Sequence, residues 1–119
     1  MISITGTMRI FVCEHATDMR KSFEGLSYLA KEVIREDPLT GHLFLFFNRT
    51  RDKLKVLYFD RSGFAIWYKE LQRGTFTHPD KKELTHAEIM CVLEGLEIAN
   101  ISRKKRYFSG NYDARAVHI

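Results

Sequence analysis

Four cations, Arg49, Arg51, Lys53 and Lys55, fall at alternate positions in and beside the polar stretch Asn48-Arg49-Thr50-Arg51-Asp52. Apolar runs flank that stretch, so it reads as the turn of a β-hairpin. Cations clustered there can neutralise phosphates without reading bases. Arg61 and Lys69 extend the basic set along the same strands. Tyr58, Trp67 and Tyr68 interleave with it as a candidate stacking surface for bases. Two plainer readings stand beside this one. The aromatics can simply pack in a core, and basic residues on a solvated sheet edge discourage strand-to-strand aggregation.

Other chemistry finds less support. Asp18, Asp37, Asp52, Asp60 and Glu88 are the candidates for a carboxylate set holding catalytic Mg²⁺ ions. Asp18 reads as a helix cap and Asp37 and Asp60 as turn residues, which accounts for them without metal. His15, His42, His78, His86 and His118 have no metal-ligand spacing, and there is no Cys-x-x-Cys pair. The sequence has neither a Gly-x-Ser-x-Gly elbow nor a glycine-rich phosphate loop. The expectation is a protein without cofactor, metal site or enzymatic activity. Cys13 and Cys91 lie in apolar contexts and read as buried thiols in a reducing cytoplasm.

These residues need elements to position them. Residues 9–15 are rich in β-formers and predict a first strand. Thr17 or Asp18 reads as a helix N-cap, followed by Met19, Phe23, Leu26, Ala30 and Val33 on one helical face. Pro38 and Gly41 end that helix. Strands are expected at 43–47, 54–59 and 64–71, and one more at 74–78. The turn at 60–63 has Gly63 available for a positive φ. Thr85 and Glu88 form a capping-box pattern ahead of Ile89, Met90, Leu93 and Leu96, a second helix ending near Ala99. The expected fold class is α+β: an antiparallel β-meander of about four or five strands packed by two α-helices.

A chain of 119 residues fits one domain. The expected division is a folded domain over 1–99 and a basic, flexible tail over 100–119. The net charge of +4 resides entirely in that tail, where Arg103, Lys104, Lys105, Arg106 and Arg115 face only Asp113. Within the neutral part, 41–78 is basic and 79–99 acidic, as expected of a protein with one nucleic-acid-facing side. No apolar run is long enough to span a membrane, and the N-terminus reads as free of a signal peptide.

Four segments recur in an order and spacing that resembles a known family. They are Thr17-Asp18-Met19-Arg20-Lys21-Ser22-Phe23-Glu24-Gly25-Leu26, the stretch from Asp37-Pro38-Leu39-Thr40-Gly41-His42 to Phe46, then Lys55-Val56-Leu57-Tyr58-Phe59-Asp60, and after Gly63 the stretch Lys69-Glu70-Leu71-Gln72-Arg73-Gly74-Thr75-Phe76. Together they resemble the TnpB, or second-open-reading-frame, accessory proteins of IS-66-type bacterial insertion sequences, over residues 8 to 97. The resemblance implies a non-catalytic accessory factor in DNA transposition, with DNA, the transposase of the same element, or both as partners. Neither it nor the composition fixes an oligomeric state. The most family-like segment carries Arg20 and Lys21 in the expected first turn of a helix, where cations oppose the helix dipole. A phosphate or acidic partner would explain them, and so would pairing of Arg20 with Glu24. The candidate nucleic-acid contacts are therefore Arg20, Lys21, Arg49, Arg51, Lys53, Lys55, Arg103, Lys104, Lys105 and Arg106. The rival reading is a protein-interaction module without DNA contact, its basic hairpin docked on an acidic surface.

Overall fold

A computed structural model of the chain describes residues 3–95. The elements are β1 (Ile10–Val12), α1 (Phe23–Leu29) running on as a π-helical turn (Ala30–Ile34), a 3-10 turn (Pro38–Thr40), β2 (Leu43–Phe47), β3 (Lys53–Asp60), β4 (Gly63–Glu70), β5 (Glu83–Leu84) and α2 (His86–Leu93). The fold is α+β, with one sheet in the order β4-β3-β2-β1-β5. The basic tail lies outside the described residues.

β2, β3 and β4 form the antiparallel meander that short polar turns require. β1 departs from it and pairs with β2 in parallel, Phe11 opposite Phe44. The helix between these two strands is the reason: a parallel pair needs a crossover connection, and α1 supplies it. β5 is a two-residue edge strand antiparallel to β1. The stretch 74–78 is not a strand; Phe76 in it is buried as a core plug.

Side chains alternate across the strands, so each strand feeds two cores. One face carries Val12, Leu45, Phe47 and Val56 under Ile89, Val92 and Leu93 of α2. The other carries Phe11, Phe44, Phe46 and Leu57 under Leu26 and Ala30 of α1. β2 is covered on both faces, so all five of its residues are buried and it reads as an unbroken apolar run.

α1 differs from its expected form at both ends. Ser22, not Thr17 or Asp18, stands at the N-cap position. The Asp18 carboxylate instead accepts from the Arg20 amide at 2.9 Å, a local turn that competes with helix. Downstream, the π-helical turn inserts an extra residue and rotates the helix face. Ile34 then packs on the core in place of Val33, which is 41% exposed, and Phe23 is 45% exposed. Arg35 closes the helix in the left-handed region (φ 65°), and the Glu36 amide reaches back to the Ala30 carbonyl at 3.1 Å.

α2 begins as expected. The Thr85 hydroxyl accepts from the Glu88 amide at 3.1 Å, and the Glu88 carboxylate accepts from the Thr85 amide at 2.9 Å. The helix stops at Leu93 rather than near Ala99, with Gly95 left-handed at φ 78°. Met90 faces outward, and Val92 takes the place expected of it in the core. Leu96 lies outside the described residues.

The rotated helix face has a measurable consequence. Leu26 is fully buried, so Leu26→Ala costs about 2–5 kcal/mol. Phe23→Ala removes a half-exposed ring and costs about 1 kcal/mol. Urea titration of the two variants checks the order, which the simple periodic face would reverse.

Candidate nucleic-acid interface

Three segments meet at one end of the sheet. The Thr17 amide donates to the Phe47 carbonyl at 2.8 Å, which brings the loop after β1 beside the end of β2. The Leu71 amide donates to the Asp52 carbonyl at 2.8 Å and the Phe76 amide to the Arg51 carbonyl at 2.6 Å. The segment after β4 therefore lies against the β2–β3 turn. Arg20, Lys21, Arg49, Arg51, Lys53 and Arg73 thus share this end. Arg73 was not among the sequence candidates. The β3–β4 register places it here, by returning the residues after Glu70 to the turn.

The turn is shaped by its own polar side chains. Asn48 Nδ2 donates to Asp52 Oδ1 at 2.6 Å and Asn48 Oδ1 accepts from the Lys53 amide at 3.0 Å. The Thr50 hydroxyl donates to the same Asp52 oxygen at 2.7 Å. These bonds from Asn48 and Thr50 hold the Asp52 carboxyl below its usual range. They also turn the acid inward, and Arg49 and Arg51 stay exposed with no carboxylate partner among the described residues. Arg51 sits in the left-handed region at φ 59°.

Lys55 is placed otherwise than its pattern suggests. It is 9% exposed on the α1 side of the sheet. Its ammonium donates to the carbonyls of Met19 at 2.7 Å and Lys21 at 2.8 Å and lies 4.9 Å from the centre of the Tyr68 ring. Lys55 is thus a clamp on the loop ahead of α1, and it presents no charge to solvent. Lys69 has a similar fate on the other face, donating to the Leu93 carbonyl at 2.8 Å and so capping α2. Lys53 keeps part of its charge outward, with Glu70 at 3.9 Å.

Arg20 does not pair with Glu24, nor does it stand in a helical turn. Its guanidinium forks onto Asp18 at 2.7–3.1 Å. The dipole argument therefore falls away for Arg20 and Lys21, which both precede α1. Lys21 is exposed and its stem crosses Gly25, where an added Cβ would come within 3.1 Å of the Lys21 side chain. Glycine at that helical position costs about 1 kcal/mol against alanine and admits the lysine.

Other candidates separate from the patch. Arg61, in the β3–β4 turn, lies at the opposite end of eight-residue strands, about 23 Å away at the usual rise. It also takes the positive φ of 54° expected at Gly63. Tyr58 and Trp67 pack on the α2 side, while Tyr68 lies on the α1 side. The three rings therefore form no common platform. The carboxylates are engaged locally: Asp18 with Arg20, Asp37 capping the 3-10 turn through the Leu39 amide, Asp52 in the hairpin and Glu88 in its capping box. Among the described residues no group of three or more His, Cys, Asp or Glu is arranged to hold a metal ion, and no helix is long and apolar enough to cross a membrane. Arg103, Lys104, Lys105 and Arg106 lie outside the described residues.

Two expectations follow. Lys55→Met keeps the stem but orphans two inward carbonyls, costing about 2–4 kcal/mol. Lys53→Met removes an exposed pair and costs less than about 1 kcal/mol. Chemical denaturation of both variants measures the difference. Separately, hydrogen bonds from Arg20 hold the Asp18 carboxyl at about 2 against an ordinary 3.8. A depressed carboxyl contributes stability that is complete above its unfolded value and lost as pH falls through the folded one. The Asp18 contribution is therefore intact above about pH 4 and disappears towards about pH 2. Asp18→Asn should flatten that part of the acid limb when urea midpoints are plotted against pH.

Comparison with known proteins places the chain. Residues 8–103 match the family model described as IS66 Orf2 like protein. An uncharacterized protein of Sinorhizobium fredii, y4hO, is 32% identical over 94 residues, spanning 76% of this chain and 82% of that protein. A second from the same organism, y4jC, is 30% identical over 108 residues, spanning 87% and 92%. No solved structure matches. The chain belongs to the IS66 Orf2-like family, whose members have an accessory role associated with insertion sequences.

Proposed function

We propose that the protein serves transposition of its IS66-type element without itself catalysing a step, by holding DNA on the basic end of its sheet. The observation that carries this reading is the convergence of Lys21, Arg49, Arg51 and Arg73, exposed and in no ion pair among the described residues. The acids near them are already matched, Asp18 by Arg20 and Asp52 by the turn around it. Gly95, the last described residue, would bring an added Cβ within 3.3 Å of Leu71 at the same end. The sequence then continues to Arg103, Lys104, Lys105 and Arg106, which lie outside the described residues. Contacts of this kind bind phosphates and position a duplex; they carry little base specificity.

A second reading, contact with the transposase, is favoured by a different surface. Phe23, Tyr28 and Leu39 are 45%, 64% and 59% exposed on the outer side of α1 and the 3-10 turn. With Pro38 and Phe64 two of them line an apolar groove. Exposed apolar patches with polar rims favour protein partners.

The test is a salt series of duplex-DNA binding. Each phosphate contact adds about 0.9 to the slope of log K against log salt. Replacing Lys21, Arg49, Arg51 and Arg73 by alanine should flatten the slope by up to about 3.6, and Arg61→Ala should leave it unchanged. A parent protein with no salt-dependent binding would remove the DNA reading in favour of protein interaction alone.

A further inference from the structure

The loop after β1 and the turn after β2 form the walls of a cleft of about 500 Å³. Thr17, Asp18 and Met19 line one side, and Arg49, Thr50 and Lys53 the other. β1 and β2 are the parallel pair, and both run towards this cleft. It therefore lies outside the carboxyl ends of the sheet's parallel strand pair.

Its donors are unusually free. The Arg49 guanidinium has no partner among the described residues, and Lys53 has only the 3.9 Å approach of Glu70. The amides of Asp18, Met19, Arg49 and Thr50 reach no acceptor among the described residues. Thr17 is 4% exposed, and its hydroxyl is buried without a hydrogen-bond partner. Buried polar groups are normally bonded, so an orphan on a cleft wall points to a missing acceptor. The one acid on the wall, Asp18, is forked onto Arg20 and so carries little unmatched charge into the cleft.

We propose that this cleft is a site for a phosphate group, with Arg49 and Lys53 as counter-charges and the loop amides and Thr17 hydroxyl as donors. The unprotonated oxygens of a phosphate group accept only, which matches a wall of donors. The site rests on the DNA reading for its nearest source of phosphate, the nucleic-acid backbone. A small phosphate-bearing molecule is the other source.

The full-length protein, labelled with ¹⁵N, is titrated with inorganic phosphate at low salt and, separately, with a short DNA duplex. Saturable shifts at the amides of residues 17–19 and 49–50 are expected with phosphate. Arg49→Gln should weaken that response roughly tenfold, the loss of one charged hydrogen bond. Thr17→Val should weaken it too, while leaving the urea midpoint unchanged or raised, because it deletes an orphan hydroxyl. Duplex DNA that moves the same amides and displaces phosphate identifies backbone phosphate as the ligand. Phosphate binding that DNA does not displace identifies a small phosphate compound. Shifts that do not saturate, or that either variant leaves unaltered, overturn the proposal. DNA binding that spares these amides overturns the site alone, and phosphate binding by a protein that ignores DNA overturns the functional reading alone.

Discussion

The Lys55 ammonium is the constraint on which the site depends. It stands on a central strand, beneath the loop that leads into α1, and takes the carbonyls of Met19 and Lys21 as acceptors. Those carbonyls belong to a stretch with no helix or strand to satisfy them. A buried charge and two backbone acceptors thus satisfy each other, with the Tyr68 face beside the cation. Through this contact the β3 strand fixes where α1 begins. It also fixes the direction in which Lys21 leaves the backbone and the near wall of the cleft.

The rest of the basic end is built by using up acidic groups locally. Asp18 closes a turn with Arg20, and Asp52 closes the hairpin with Asn48 and Thr50. Each acid gives shape to a loop and is removed as a competitor for the neighbouring cations. Arg49, Arg51, Lys21 and Arg73 are left with charge directed to solvent. The same logic serves both ends of α2: Lys69 closes its C-terminal end from the sheet, and Lys81 pairs with Glu88 at its start. The alternation of lysines along β3, read as one basic stripe, is in fact divided by burial. Lys53 stands near the strand start with a partial outward charge, and Lys55 one pleat further in is enclosed.

Much of this was legible in the sequence. The runs at 43–47, 54–59 and 64–71 have strand composition and turn-forming borders, and the capping box of α2 has a signature that local bonding alone fulfils. The α+β class and the two helices followed from these. What was hidden depended on tertiary context. Asp18 bonds backbone two residues on, which imitates an N-cap in sequence and ends in a turn before the real helix. The π-helical turn changes the apolar period after Leu29, so Ile34 replaces Val33 with no compositional mark. Parallel pairing of β1 was implied by a helix between two strands, yet the short first strand reads equally well as part of a meander. The division between Lys55 and its neighbours required knowing which face α1 covers. Arg73 required the register that brings its loop back to the hairpin.

The central claim is that one end of the sheet faces DNA. Amide hydrogen exchange of the full-length protein, with and without a saturating DNA duplex, tests it most directly. The account predicts slowed exchange in residues 17–21, 48–52 and 72–75, with no change in the β3–β4 turn at 60–63. Protection centred on that turn, or confined to the outer side of α1, would contradict it.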